Sequence, residues 1–192
     1  AATSISSPFN ISNPVPTLTS VSPEYTCADP SGTLLVTVTG TNFNTQSQVQ
    51  VNGVPRATVF VSSTQLTTEL TAAENGAGGT YAISVLNPTP GGGTTSAKNI
   101  LVSKINIAPT VYQPTCSTPG SITLNVSGGK SPYYYYWEDL PGTNIVKDRT
   151  NLTGGNYKVT VVDSIGCSAS TTYLTINNIS CVGISVCQSD AA

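Results

Sequence analysis

Apolar and polar positions alternate along this chain in short runs, and Gly, Pro and Asn cut the runs apart. Residues 33–39 are β-branched and alternating. Residues 48–52 alternate too, and Asn52-Gly53 is the dipeptide that most strongly signals a two-residue hairpin turn. Residues 58–62, 65–70 and 80–86 come next at short spacing, punctuated by the glycines of 76–79 and 91–93. The stretch Ile107-Ala108-Pro109-Thr110 marks a boundary. Beyond it a second series begins, with strands expected at 121–126, 133–138, 157–162 and 171–176. Gly128-Gly129, Pro141-Gly142 and Gly154-Gly155 separate them. A helical period is missing throughout, so the expected class is all-β, with two tandem sandwich modules.

The modules are placed at 17–106 and 107–177. Ahead of them, 1–16 is an extended segment and linker, with Ile5, Phe9 and Ile11 as sparse apolar points. Phe9 and Ile11 share one face of an extended chain. Pro14 and Pro16 stiffen the linker and are expected to hold the segment away from its own module. The tail, 178–192, carries Cys181 and Cys187 around Val182, Ile184 and Val186.

Composition narrows the function. Of 192 residues only 8% are charged, against about 25% in an average soluble domain. Thr, Ser, Asn, Gly and Val take their place, which suits an extracellular surface and leaves little repulsion against self-association. A net charge of −2 offers nothing to attract nucleic acid or an anionic membrane. No run of about 18 apolar residues exists to span a bilayer. The start, Ala1-Ala2-Thr3-Ser4, resembles the new N-terminus left by a signal-peptidase cut.

The chain has no His and no Met. Without His a nucleophile lacks its usual base, and seven Lys and Arg are scattered. Glu138-Asp139 is the only close acidic pair, and neighbours in a strand point to opposite faces. Nine acidic residues with no Asp-x-Asp run do not make a calcium site. No enzyme activity, cofactor or metal is therefore expected. Five cysteines, at 27, 116, 167, 181 and 187, include no Cys-x-x-Cys pair and are expected to form disulfides in an oxidising compartment. A local Cys181–Cys187 loop is the simplest tail pairing and leaves Cys27 alone; the competing pairing ties Cys27 to a tail cysteine.

Two families share these patterns. Val21-Ser22-Pro23, Val38-Thr39-Gly40-Thr41-Asn42-Phe43, Val49-Gln50-Val51-Asn52-Gly53, Ser62-Ser63-Thr64-Gln65-Leu66-Thr67 and Gly79-Thr80-Tyr81-Ala82-Ile83-Ser84-Val85-Leu86-Asn87-Pro88 resemble the IPT/TIG immunoglobulin-like domain. Gly40 and Asn42 then suit positive φ at a strand end, Phe43 plugs the sandwich, and Tyr81, Ile83 and Val85 face the core. The second module resembles the SprB-type repeat of Bacteroidota surface adhesins. The matching residues are Cys116, Gly120-Ser121-Ile122, Gly128-Gly129, Pro132-Tyr133-Tyr134-Tyr135-Tyr136-Trp137, Leu152-Thr153-Gly154-Gly155-Asn156-Tyr157, Val159-Thr160-Val161-Val162-Asp163 and Gly166-Cys167. Both resemblances imply immunoglobulin-like sandwiches, and the second implies a Cys116–Cys167 disulfide and a core facing Tyr133, Tyr135 and Trp137. Tyr134 and Tyr136 are left as an outward aromatic pair for a sugar or protein contact. Sequons stand at Asn10, Asn125, Asn151 and Asn178, acceptors only in a host that glycosylates this way.

The function expected is structural or adhesive at the cell surface. One form is the subunit of a self-associating filament, with residues 1–13 acting as a strand in trans. The alternatives are a piece of a long monomeric adhesin that binds surface glycans, or an accessory module of a secreted polysaccharide enzyme.

Overall fold

The computed structural model describes residues 12–140, 142 and 146–180, in two compact units, Ala1–Lys104 and Ile105–Ala192. Alternating runs become strands because every second side chain can be buried on one face. In the first unit β1 (Thr17–Ser22), β3 (Leu34–Thr41), β7 (Gln65–Leu70) and β6 (Val59–Ser62) form a sheet in the order β1-β3-β7-β6. The second sheet runs β2 (Tyr25–Cys27), β10 (Lys98–Ser103), β8 (Gly79–Asn87), β4 (Gln48–Val51), β5 (Val54–Pro55), with β9 (Gly93–Thr94) on β8. Val36, Val38, Leu66 and Leu70 from one sheet meet Val49, Ile83, Val85 and Ile100 from the other, all fully buried. Each contributes roughly 1.5–3 kcal/mol of hydrophobic stabilisation.

Local chemistry sets the turns. Asn52 (φ 52°) and Gly53 (φ 78°) close the β4–β5 hairpin in the left-handed conformation that asparagine tolerates and glycine, lacking a Cβ, adopts freely. Asn42 (φ 62°) does so after β3. Gly40 is needed for space instead of for φ. A Cβ there would lie 1.9 Å from the Thr17 carbonyl oxygen and 2.6 Å from Phe43 Cζ, because Phe43 packs over it into the core. One short helix, α1 (Ala72–Ala77), also departs from the all-strand expectation. It is too short to show a period, but Thr71 and Glu74 cap it reciprocally, the Thr-x-x-Glu box that starts helices.

Residues 13–16 do not stand away from the module as expected. Asn13 donates from its backbone to Pro90 and from Nδ2 to Pro88, both at 2.7 Å. Buried Asn87 donates to the Pro14 carbonyl at 2.9 Å and to the Asn42 carbonyl at 2.7 Å, and accepts from Ser47. Asn42 Nδ2 donates to Val15 at 2.8 Å. The prolines cannot donate to a sheet, so asparagine amides hold their carbonyls.

In the second unit β11 (Asn106–Tyr112), β12 (Gly120–Ser127) and β14 (Arg149–Leu152) form one sheet, and β13 (Tyr133–Trp137), β16 (Val159–Asp163) and β17 (Ser168–Ser170) another. β15 (Gly155–Tyr157) pairs with β18 (Leu174–Ile176). Residues 107–110, expected as a boundary, lie inside β11; Pro109 fits because β11 is an edge strand, paired among the described residues with β12 alone. The run expected at 157–162 is continuous in pattern but switches partner at Lys158, from β18 to β13 and β17. Trp137, Val159, Val161, Ile122 and Ile176 fill the core.

The expected Cys116–Cys167 bond is not compatible with this sandwich. Cys116 lies in the loop joining β11 to β12, at the Tyr112 and Gly120 end. Cys167 comes after Asp163, which binds the Lys130 amide just past the other end of β12. Eight residues of strand separate the ends by ~25 Å, and a disulfide needs Cα atoms within about 7 Å. Cys27, Cys116 and Cys167 are all disulfide-bonded, so Cys27 is not the leftover thiol that the local tail loop required. Cys181 and Cys187 lie outside the described residues.

Candidate functional site

The first module exposes apolar side chains along one sheet edge. β6 is the edge of its sheet, paired with β7 on one side and with no strand on the other among the described residues. Val59 is 62% exposed, Val61 52%, and Leu35 on β3 58%, all turned to the outer face. Beside them is a depression of about 310 Å³, lined by Leu35, Ala57, Val59 and Thr67 together with Arg56 and Glu69. Arg56 is held by an ion pair with Glu74 while its Nε, buried, has no hydrogen-bond partner. Burial alone would raise the Glu74 pKa, but the Thr71 amide and hydroxyl and the Arg56 charge hold it below its ordinary value. Those bonds fix the helix and the 55–57 connection against β7.

The tyrosine run divides as its alternation requires. Tyr135 and Trp137 are buried and Tyr133 packs against them, while Tyr134 is 44% exposed and Tyr136 is half-buried. On the outer face of β13, Tyr134 sits opposite Val162 and Tyr136 opposite Thr160. The Trp137 indole donates to the Val146 carbonyl at 3.0 Å. Sequence reasoning did not find Arg149. Its guanidinium grips both Asp139 oxygens at 2.9 and 2.8 Å and lies 5.2 Å from the Trp137 ring centroid. Spacing alone could not reveal it, since the pair is ten positions apart in sequence.

Glu138 and Asp139 diverge, as expected of neighbours. Asp139 goes to Arg149, whose hydrogen bonds lower its pKa. Glu138 goes to Lys158 at 2.9 Å and to the Tyr173 hydroxyl at 3.0 Å, and those bonds lower its pKa and raise that of Lys158. Among the described residues no group of three His, Cys, Asp or Glu side chains converges. Buried Asp163 accepts from the Lys130, Ile165 and Cys167 amides and is a turn-holding carboxylate. No helix among the described residues is long and apolar enough to cross a membrane.

Of the other expected contact residues, Phe9, Ile11 and the sequon Asn10 lie outside the described residues. Asn125 is exposed on β12 and Asn151 on β14, the latter at φ 57°. Asn178 is exposed as a residue, but its side chain lies against Gly154.

These sheets define a chain of tandem immunoglobulin-like sandwiches. Residues 16–102 match the IPT/TIG domain. The match ends before the second module, and the comparisons give no evidence for the SprB-type repeat expected there. No curated protein matches the chain. Among solved structures it is similar to DIP-gamma IG1+IG2, at 11% identity and TM-score 0.46 over 87% of this chain and all of that one. It is similar to a C-terminal fragment of intimin, crystallised with the intimin-binding domain of its translocated receptor, at 14% and 0.47, over 84% of this chain and 64% of that one. A third is the amphioxus IgVJ-C2 molecule, at 17% and 0.39, over 79% of this chain and 99% of that one.

Proposed function

We propose that this chain is an extracellular structural or adhesive protein, not an enzyme, and a subunit of a surface filament assembled through its terminal segments. The observation that carries the reading is the apolar outer face around Val59, Val61 and Leu35, with Arg56 and Glu69 beside it. On the same module Arg56 and Glu74 are taken up by an ion pair and a helix cap. A contiguous apolar surface of that kind on a sandwich is a contact surface. The disulfides fit an oxidising compartment, and the SprB-type pattern fits a secreted surface protein. Negative-stain electron microscopy of the purified chain tests it: fibres of regular repeat are expected, and isolated rods at all concentrations count against it.

A second reading, a long adhesin that binds glycans, is favoured by exposed Tyr134. Its ring face offers a sugar-stacking surface beside half-buried Tyr136. Glycan-array binding that disappears in Tyr134→Ala, from a protein that forms no fibres, would select it. The accessory-module reading predicts the same binding with polysaccharide in place of a surface glycan.

A further inference from the structure

The filament reading leaves open which surface receives the terminal segment. Resting on that reading, we propose that β6 is the acceptor edge, and that its occupant is the segment 1–11 of a second copy of this chain, added as a strand.

The edges of the first module are not equivalent. β1 carries mostly hydroxyls, shifts register between Leu18 and Ser20, and is bracketed by Pro16 and Pro23. β5 is two residues long and ends in Pro55; β2 has three residues and comes just after Pro23. Proteins blunt edges in these ways, with bulges, prolines and short strands. β6 has a register shift between Phe60 and Ser62, but it has neither charge nor proline. It presents Val59, Phe60 and Val61 in succession, all exposed. Its backbone groups on the free side have no strand to pair with among the described residues, and the depression beside Leu35 and Ala57 gives an added side chain a place to go.

The chemistry of the occupant matches. Residues 1–16 contain no charged side chain, and neither do β6 and the residues it pairs with on β7, so backbone pairing along β6 sets no charge against charge; Arg56 and Glu69 lie beyond the β6 end, at the depression. Ile5, Phe9 and Ile11 are all odd-numbered, so an extended segment places the three on one side, where the Val59 and Val61 row is apolar. Pro8 falls on the opposite side and removes one donor. A second copy is favoured over the same chain by the anchor at Asn13. It is bonded to Pro88 and Pro90 just past β8, in the sheet that does not contain β6.

The test uses the full chain in two variants. Phe9→Asp/Ile11→Asp removes the donor face, and Val59→Lys/Val61→Lys removes the acceptor; both valines are exposed, and unchanged circular dichroism confirms folding. Each variant alone is expected to stay monomeric by analytical ultracentrifugation. A one-to-one mixture is expected to form a dimer and nothing larger, since one intact donor meets one intact acceptor. Association of either variant with itself is expected to fall by about tenfold or more, from the charge placed against an apolar edge. A mixture that remains monomeric overturns the assignment, as does a lysine variant that assembles like the unaltered chain. Self-association of the aspartate variant would show β6 pairing with β6, and also overturns it. If the unaltered chain makes fibres while the mixture makes no dimer, the filament reading survives and the β6 acceptor falls. If the mixture dimerises while the unaltered chain makes no fibres, the acceptor stands and the filament reading falls.

Discussion

Gly40 has no room for a methyl group: the Thr17 carbonyl and the Phe43 ring occupy its side-chain position. Gly40→Ala must therefore displace β1 or lift Phe43 from the core. It is expected to cost about 3 kcal/mol, read as a lower midpoint of urea unfolding by circular dichroism. The charged residues predict a pH profile. Glu74, Glu138, Asp139 and Asp29 all have pKa values below the ordinary range, the last through hydrogen bonds from Ser31. A lowered carboxylate contributes stability that is present above its unfolded pKa of about 4 and is lost as pH falls through the folded value. Raised Lys158 acts in the opposite direction: its contribution is present below the unfolded lysine value and lost as pH rises through the folded one. With no His in the chain, no side chain of ordinary pKa changes charge between about pH 5 and 7, and the α-amino group titrates only near about pH 8. The thermal midpoint is expected to be flat across that interval, to fall below about pH 4, and to fall again in the lysine range. A sigmoidal step near about pH 6.5 would contradict this assignment.

At the level of elements, α1 depends on its cap. Thr71 and Glu74 satisfy each other's amides, Glu74 also holds Arg56, and its carbonyl accepts the buried Tyr81 hydroxyl at 2.7 Å. Thr71→Ala is expected to destabilise the first module by about 1 kcal/mol, with faster hydrogen exchange confined to Ala72–Ala77. That capping box was visible as Thr71-Ala72-Ala73-Glu74, but six helical residues give too little period to prompt a search for it. Strands with clean alternation, β3, β4, β7 and β12, were legible to within two residues, because burial on one face enforces the period. β10 and β11 were not: Ile100 and Val102 alternate over too few residues, and Pro109 looked like a break when it occupies an edge. The inward and outward division of the tyrosines was legible for the same reason as the strands. The depression beside β6 was not, because it is assembled from β3, β7 and the 55–57 connection, and no local pattern encodes which strands become neighbours. The asparagine clamp on residues 13–16 also escaped, since its partners are as many as 75 residues apart.

For the whole molecule, the constraint that pattern alone placed wrongly is covalent. A resemblance can suggest that two cysteines belong to one repeat, but only the sheet register shows that Cys116 and Cys167 stand at opposite ends of β12. Three described cysteines are bonded, and three is an odd number, so at least one of Cys27, Cys116 and Cys167 has its partner outside that set. The chain's other cysteines are at 181 and 187. Peptide mapping without reductant is therefore expected to join a peptide containing Cys181 or Cys187 to one of the three, and to find no Cys116–Cys167 link. Cross-links between positions this distant in sequence restrict the unfolded chain strongly, on the order of 3–5 kcal/mol each in the chain-entropy description. Full reduction should accordingly lower the unfolding midpoint far more than any surface ion pair does when salt screens it, since exposed pairs contribute about 1 kcal/mol or less. A recovered Cys116–Cys167 peptide would require β12 to be shorter or differently registered than Asn106↔Ser127 and Tyr112↔Ser121 allow, and would overturn the second sandwich as described.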